Sequence, residues 1–438
     1  MRQSPRSTFA VPPSGLLAAV LAAAFSVGAA NAGEPEQAEL SIPDLIAMLD
    51  DDDAGCRRTA IEALAGRGVE ARPAVSAIAR ALTDSDANVS AAAATALGEL
   101  SFAPDIAIPA LVKLFPEEAR SDQGPLWLAA GQASGQYGES AVPYLIEALK
   151  DERIPVRRAA MIGLFVAGPK ANTAVPVLID VLEEDEPQTR KYALNAFIGI
   201  GPDAKDAVPA LIKTLASEDF HTQYWACRAL GSIGAAASPA APKLIELVQD
   251  GVTSVRRNAA AALGNIGPTV GQRAVDTLVG AFSDWSQPVR QQAVIALGKL
   301  GPLAAPALPV IEKGLRDGEF RPAANAAKTL WLLKPESELP LRVLLVELAA
   351  GDDPGDAVIV MGEIGVALGA VDEVAELLKQ DYRWARLYAA EALGKMGPDA
   401  APIARPALEA ALDDEDQEIR EAVKEALDKI GRSGKESR

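Results

Sequence analysis

The sequence predicts an all-α protein, a right-handed solenoid (superhelix) of about twelve helix pairs. The first observation is a thirteen-residue phrase, clearest in Val255–Gly267, that recurs twelve times at intervals of 30 to 37 residues. A fixed period in this range is typical of stacked supersecondary units. The second observation is a composition of 49% hydrophobic but only 5% aromatic residues, which suits closely packed alanine- and leucine-rich helices. We number the repeats by their phrases, which start at Cys56, Val89, Leu126, Val156, Thr189, Thr222, Val255, Val289, Pro322, Asp353, Ala385 and Ile419.

Each repeat begins with a segment that predicts an amphipathic first helix. In repeat 6, Val208, Leu211, Ile212 and Leu215 follow the i, i+3, i+4, i+7 spacing of one helix face. A proline stands in the first turn, where the missing N–H costs no hydrogen bond. Equivalent prolines are Pro143, Pro176, Pro209, Pro242 and Pro309.

The thirteen-residue phrase predicts the second helix. In repeat 7, Ala259, Leu263 and Ile266 lie on one face, and alanine is the fifth residue in eleven of the twelve phrases. A side chain this small lets neighbouring helices approach closely. Glycine ends ten of the twelve phrases, with Ser101 and Lys334 as the departures. We interpret it as a helix C-cap in the left-handed region.

An acidic turn such as Asp84–Asp86 joins the two helices, and arginine is the second residue of seven phrases. These arginines could form an anion-binding stripe or a structural ladder that bonds acidic turns and helix ends. We favour the ladder because the residue recurs with the scaffold. The arginines are Arg57, Arg157, Arg190, Arg256, Arg290, Arg386 and Arg420.

The VRxxAAxALGxIGP phrase, with its preceding VPxLIxxLxD helix, resembles the HEAT repeat, and most closely the bacterial PBS-lyase HEAT-like type. The resemblance covers about residues 41–431. It implies a scaffold or binding platform in most cases. In a few cases it implies an enzyme or enzyme subunit, such as a bilin lyase or a di-iron deoxyhypusine hydroxylase. The hydroxylases need several His-Glu pairs, whereas this sequence holds one histidine.

The first 32 residues are typical of a secretory signal peptide. Arg2 and Arg6 precede an apolar run from Leu16 to Val27, and a small-x-small cleavage site follows, with cleavage predicted after Ala32. The run is shorter than the ~20 residues of a membrane-spanning helix. We therefore expect export to the periplasm or the exterior, with residues 33–438 forming a single continuous solenoid domain that ends in a polar C-terminal cap.

The charge of the chain restricts its partners. The formal net charge is −18, and it becomes −20 once the segment with its two arginines is removed. Such a charge repels phosphate backbones and anionic lipids. We predict a monomer that binds another protein or a peptide, with no nucleic acid bound and no membrane insertion after signal removal.

The two cysteines, Cys56 and Cys227, stand five repeats apart. A disulfide requires Cα atoms within ~7 Å. We therefore expect no bridge, and interpret both residues as buried small apolar side chains.

The sequence carries no catalytic constellation. His221 is the only histidine, and neither a nucleophile signature, a CxxC spacing nor a phosphate-binding loop accompanies it. The run Asp50–Asp53 could attract calcium, but it lacks the Gly and Glu spacing of a dedicated loop. We predict no enzyme activity, no metal and no cofactor.

The candidate binding surface is the concave face that second helices line in solenoids of this kind. Phrase positions three, four, seven and eleven point away from the alanine-rich face, and in repeats 5 to 9 they supply basic, amide and aromatic side chains. Tyr, Trp and Arg are the types that anchor interfaces. The candidate residues are Lys191, Tyr192, Asn195, Tyr224, Trp225, Arg228, Arg257, Asn258, Asn265, Gln291, Gln292, Lys299, Asn325 and Lys328.

We therefore predict a non-catalytic interaction scaffold. One alternative is an enzyme or enzyme subunit, of the bilin-lyase-like or oxidoreductase HEAT type, acting on a bound cofactor or small molecule. Another alternative is a structural spacer in the cell envelope. The export signal argues against bilin attachment, which occurs in the cytoplasm. Aromatic residues near the turns could mark an edge site, but we expect them to cover helix ends; they are Phe220, Trp285, Phe320, Tyr382 and Trp384.

Overall fold

The computed structural model describes residues 40–116, 120–121, 124–183, 187–320, 323–350 and 354–431. The predicted signal peptide, residues 1–32, lies outside the described residues. The chain divides into two compact units, the first ending at Ala174 and the second beginning at Val175. Each unit is a stack of helix pairs, which confirms the predicted α-solenoid class. The single continuous domain stays a prediction.

The first unit holds repeats 1 to 4, in which odd-numbered helices are first helices and even-numbered helices are second helices. Short 3₁₀ segments cover Met48–Asp50, Gly68–Ala74, Gly138–Ala141 and Gly168–Ala174. The two-residue strands β1 (Arg120–Ser121) and β2 (Gly124–Pro125) pair antiparallel in the connection that precedes the second helix of repeat 3. The helices are α1 (Ile42–Ala47), α2 (Ala54–Gly66), α3 (Val75–Ala81), α4 (Ala87–Leu100), α5 (Pro104–Val112), α6 (Leu126–Gln136), α7 (Val142–Ala148) and α8 (Ile154–Ala167).

The second unit holds repeats 5 to 12 in the same alternation. The helices are α9 (Val175–Leu182), α10 (Pro187–Ile200), α11 (Val208–Thr214), α12 (Phe220–Ile233), α13 (Ala241–Asp250), α14 (Thr253–Ile266), α15 (Gln272–Gly280), α16 (Gln287–Leu300), α17 (Leu308–Arg316), α18 (Ala324–Leu333), α19 (Leu339–Ala350), α20 (Gly355–Ile364), α21 (Val371–Leu377), α22 (Arg383–Met396), α23 (Ala401–Ala410) and α24 (Gln417–Gly431). Short 3₁₀ segments cover Gly201–Ala207, Gly234–Ala240, Pro268–Val270, Ala281–Ser283, Gly301–Ala307, Pro398–Ala400 and Ala411–Asp413.

The acidic turns start several second helices. The Asp53 side chain accepts a hydrogen bond from the Gly55 N–H at 2.6 Å, and the Asp86 side chain accepts one from the Asn88 N–H at 2.7 Å. A carboxylate at this position accepts a hydrogen bond from an N–H that has no partner inside the helix. Its negative charge is also stabilised by the positive end of the helix dipole. The turns between helices are therefore acidic for a structural reason.

The glycines that end the phrases differ from the prediction in one dihedral angle. Gly234 has φ 72° and Gly267 has φ 84°, so the positive φ is confirmed. Their ψ angles of −141° and −163° lie outside the left-handed helical region, in backbone space that is essentially restricted to glycine. The reason is that a 3₁₀ turn follows at once. Ser101, which replaces this glycine in repeat 2, instead has φ 50° and ψ 31°, the left-handed region that other residues tolerate.

Consecutive second helices approach closely through small side chains. A Cβ atom added to Gly264 would lie 2.7 Å from the Cα of Ala296 in the next repeat, and one added to Gly98 would lie 2.9 Å from the Cα of Ala133. The fifth-position alanine Ala259 is fully buried at the same seam. The core therefore runs along each unit as a seam of alanine, glycine and leucine between neighbouring repeats.

The arginines form the predicted structural ladder. Arg256 donates to the Asp284 carboxylate at 2.7 and 2.9 Å, and to the Gly251 carbonyl at 2.9 Å. The Asp284 carbonyl in turn accepts from Arg290 at 2.8 Å. Hydrogen bonds from arginine hold the pKa of the partner aspartates below their usual range. The same arrangement joins Arg57 to Asp84 and Arg386 to Asp414.

The cysteines are both free, and only one of them matches the prediction. Cys227 is fully buried in α12, and burial raises the pKa of its thiol to about 12. Cys56 is partly exposed, so the expectation of a buried side chain is wrong there. The physical reason is its place in the first turn of α2, which has a neighbouring second helix on one side only within the described part of the chain.

Two stretches of the described chain are long and apolar enough, by length and composition, to cross a membrane: Ile154–Leu182 and Gln287–Arg316. Each consists of two helices and a 3₁₀ turn rather than one uninterrupted helix. The breaks fall at Gly168 and Gly301, which have φ 64° and 57°. Many of their apolar side chains pack in the core of a repeat, as Leu164 and Leu297 do.

Candidate functional site

The candidate residues lie in the second unit, on a surface that we call the second-helix face. It is formed by α10, α12, α14, α16 and α18, which pack consecutively against one another. In several repeats, long side chains at phrase positions three and four lie next to the buried alanine at position five and remain partly exposed, as Tyr224 and Trp225 do. The face therefore collects residues that stand about 33 positions apart in the chain.

Four of the candidate residues form one cluster, which we call the Trp225 cluster: Lys191, Tyr224, Trp225 and Arg228. The Lys191 ammonium lies 5.6 Å from the centre of the Trp225 ring, and the Arg228 guanidinium lies 4.7 Å from it. Arg228 also lies 5.8 Å from the Tyr224 ring, which meets Trp225 edge-on at 5.0 Å between ring centres. Cation–π contacts of this length orient both the cations and the rings.

A cavity of about 300 Å³ opens beside this cluster, at the amino-terminal ends of α10 and α12. Sequence analysis identified only two of the six residues that line it, because the others are the Asp219 cap and residues in the first turns of α10 and α12. The sequence could have indicated them, because Asp219 is a recognisable helix cap and stands one repeat after Lys191. The lining residues are Gln188, Lys191, Asp219, His221, Thr222 and Trp225.

The Asp219 carboxylate is engaged in the helix cap. It accepts hydrogen bonds from the Thr222 N–H at 2.9 Å, from the Thr222 hydroxyl at 2.6 Å and from the His221 N–H at 3.2 Å. Burial raises the pKa of this carboxyl, but these hydrogen bonds outweigh burial and hold the pKa below its usual range. Asp219 is therefore ionised and points its charge at its own helix.

A wider groove of about 510 Å³ lies one repeat further, at the amino-terminal ends of α12, α14 and α16. Phe220 lines the groove and His221 lines the cavity, and their rings lie 4.1 Å apart, so the two recesses adjoin at this ring pair. Phe220 is 44% exposed and Val252 is 51% exposed. The residues lining the groove are Phe220, Val252, Thr253, Ser254, Arg257 and Pro288.

The turn aromatics divide into two groups. Phe320 is buried against Phe282, with ring centres 5.2 Å apart, and Trp384 stacks on Tyr388 at 5.8 Å, so these two cover helices as expected. Phe220, Tyr382 and Trp285 are exposed, and the exposed fraction of Trp285 reaches 78%. Trp285 nevertheless lies over the Arg256 guanidinium, 5.3 Å from it, so for these three residues the covering of helix ends stays a prediction.

Several candidate residues bond to their neighbours. Lys299 donates to the Asn265 side chain at 2.7 Å, and Asn258 is buried and donates to the Ser254 carbonyl of its own helix at 2.8 Å. Asn258 thus contributes little surface, because its amide bonds back to its own helix instead of pointing outward as the sequence predicted. Tyr192, Asn195, Gln291 and Gln292 are half-buried.

The basic character of the face ends at repeat 9. Asn325 donates to the Asp356 carboxylate at 3.3 Å, and Lys328 forms an ion pair with Glu363. Both carboxylates belong to repeat 10, so Lys328 is neutralised by its neighbour. By contrast, Lys191, Arg228 and Arg257 form no ion pair with any carboxylate of the described chain.

The second-helix face carries side chains of several chemical types. His221, the single histidine, is exposed. Among the described residues, no three His, Cys, Asp or Glu side chains converge in a group that could hold a metal ion. What the face offers is aromatic surface, hydrogen-bonding amides and cations.

The architecture defines an α-solenoid, and the candidate residues lie on one of its helix faces. The chain belongs to the HEAT-repeat family, because the family model for HEAT repeats matches residues 42–124, 175–261, 241–331 and 343–434. The finer assignment to the PBS-lyase HEAT-like type stays a prediction. No curated protein matches the chain.

Solved structures of similar architecture include karyopherins. The Kap95:Nup1 complex aligns with a TM-score of 0.59 at 13% identity, over 89% of this chain and 61% of that one. A structure of Kap95p with RanGDP aligns with a TM-score of 0.53 at 14% identity, over 89% of this chain and 62% of that one. An engineered protein is 21% identical over 90% of this chain and 99% of its own, with a TM-score of 0.37. These likenesses concern the fold alone.

Proposed function

We propose that the protein is a non-catalytic scaffold that binds another protein or a peptide on the second-helix face of repeats 5 to 8, the face that is concave in solenoids of this kind. The observation that carries the proposal is the Trp225 cluster. It presents a Trp and a Tyr beside two cations that no carboxylate of the described chain neutralises. Aromatic and arginine side chains held in fixed positions are the usual energetic centre of protein interfaces.

The open form of the recesses supports protein binding over binding of a small molecule. The cavity and the groove adjoin, and together they follow the ends of four successive second helices. Small-molecule sites are enclosed and bury most of their ligand, whereas an open row of this kind fits an elongated partner. The family resemblance also favours a binding platform.

We propose further that the chain is exported and that the binding takes place in the periplasm or outside the cell. The support is the charged start, apolar run and small-residue cleavage site of residues 1–32.

The binding proposal is tested by capture. The wild-type mature protein and the Tyr224→Ala, Trp225→Ala double variant are immobilised and exposed to native envelope extract. Bound proteins are then crosslinked and identified. We expect a partner retained by the wild type to be lost from the variant, with a loss of at least about tenfold in retained amount, because truncating two central aromatic side chains removes about 2 kcal/mol or more of binding free energy.

The matched control is Tyr144→Ala with Phe165→Ala, two exposed aromatic side chains of the first unit. Thermal melting confirms that both variants are folded. If the control loses the partner as the Trp225-cluster variant does, or if both variants retain it, the second-helix face is not the binding site.

A further inference from the structure

We propose that the segment bound on this face is acidic and extended, and that it places one apolar side chain in the groove between Phe220 and Val252. This inference rests on the proposed function and adds the chemistry of the partner. Its carboxylates would meet Lys191, Arg228 and Arg257.

The charge distribution selects an acidic partner. The chain has a formal net charge of −18, and six of the seven repeated arginines bond to carbonyl or carboxylate oxygens of the described turns through the ladder described above. Lys191, Arg228 and Arg257 lie outside that ladder, beside the two recesses and the Trp225 ring, and none of them forms an ion pair with a described carboxylate. Asp219 is the one carboxylate lining either recess, and its oxygens accept hydrogen bonds from Thr222 and His221. Complementary charge both speeds and orients association.

The apolar surface lies beside the cations. Phe220 and Val252 are about half exposed, and Pro288 closes the far side of the same groove, whose volume of about 510 Å³ exceeds that of a Leu or Phe side chain. Arg257 lines the groove as well, so an apolar side chain placed there brings the neighbouring carboxylate of its own chain within reach of the guanidinium.

The spacing of the recesses favours an extended chain. Neighbouring helices lie ~8–10 Å apart. In an extended peptide, side chains on the same side recur every ~7 Å. Side chains two residues apart, on the same side of such a peptide, can therefore reach the cavity of repeats 5 and 6 and the groove of repeats 6 to 8, while the neighbouring carboxylates face the cations.

The test uses the full mature protein and three fluorescein-labelled peptides of twelve residues. The first is built from Glu and Asp with two Phe, the second has Lys in place of the acids, and the third has Ser in place of Phe. We expect the first to bind at least about tenfold tighter than either of the others, with affinity falling as salt rises.

The decisive variant is Lys191→Glu with Arg257→Glu, which should weaken binding of the first peptide by about tenfold or more. The matched control is Arg273→Glu, an exposed arginine on the first helix α15, which should leave binding within about twofold. Equal or tighter binding of the Lys peptide would overturn the proposal, as would an equal loss in the control.

The capture experiment separates this proposal from the function on which it rests. Suppose that the native partner is lost from the Tyr224→Ala, Trp225→Ala variant but retained by the Lys191→Glu, Arg257→Glu variant. The face then binds a partner, but the proposal that the bound segment is acidic is wrong. If both variants retain the partner, both proposals fail. Loss from both variants, together with the peptide preference, supports both.

Discussion

Arg256 joins two repeats through one side chain. Its guanidinium and the Asp284 carboxylate are each about 10% exposed, and they meet at 2.7 Å. Asp284 also accepts a hydrogen bond from the Ser286 N–H at 2.8 Å, so it holds the next turn in shape. A pair that is largely removed from water is costly to break from one side, because the remaining charge loses its partner without regaining full hydration.

We expect Arg256→Ala to lower the free energy of unfolding by about 3 kcal/mol at pH 7. The pKa of Asp284 is lowered by its hydrogen bonds with Arg256, so the stabilisation is present above the ordinary value of 3.8 and is lost as pH falls through the folded-state pKa. The destabilisation should therefore be smaller at a pH well below 3.8 than at pH 7. Urea unfolding of wild type and variant at both pH values measures it.

The neighbouring Arg257 provides the control, since it is exposed and forms no ion pair with the described chain. Arg257→Ala should change the free energy of unfolding by no more than about 0.5 kcal/mol at either pH. A pH-independent effect of Arg256→Ala would mean that its carbon chain, rather than its charge, stabilises the repeat.

At the scale of the element, the distance between second helices depends on the tenth residue of the phrase. Glycine there meets a small residue at the eighth position of the next phrase, as Gly264 meets Ala296 and Gly394 meets Ala426. Alanine would be the better helix former at such a site. The glycine persists in these phrases because a Cβ would overlap the backbone of the adjoining helix.

We expect Gly264→Ala to destabilise the protein by about 1 to 3 kcal/mol, because the added methyl forces α14 and α16 apart. Gly280→Ala is the matched substitution, since a Cβ there meets no atom within 4 Å and its φ of −58° is helical. That variant should be neutral or more stable by up to about 1 kcal/mol. Thermal melts of the two variants check the difference, and equal melting temperatures would contradict the close-packing account.

At the scale of the whole molecule, the features that follow from periodicity were predictable from the sequence. The helix pairs, the arginine ladder and the buried alanine seam each recur, so one repeat predicts the others. The features that depend on one place in the array were not. The partial exposure of Cys56 follows from its position in the first repeat, and the Asn258 side chain is buried with its amide bonded to the Ser254 carbonyl of its own helix. The cavity beside Trp225 is lined both by the Asp219 cap of repeat 6 and by Lys191 of repeat 5, so a single repeat does not predict it.

Export makes a prediction about the mature chain. If residues 1–32 are removed as the sequence predicts, protein isolated from its native cell should begin at Gly33 and lack the two arginines of that segment. Intact-mass measurement with N-terminal sequencing of the envelope fraction checks this. Protein that starts at Met1 in that fraction would show that the segment is retained.

The arginine ladder also bears on how such a chain can lengthen. Because Arg256 and the Asp284 that it binds belong to successive repeats, a repeat duplicated whole adds one donor and one acceptor. A duplication out of register with the 33-residue period would separate them. Arg420, in repeat 12, bonds the carbonyls of Asp414 and Glu415, just as Arg290 bonds those of Asp284 and Trp285, and neither arginine pairs with a carboxylate of the described chain. A gene segment encoding a complete repeat of this kind could thus be gained or lost with the Arg256–Asp284 type of ion pair still matched.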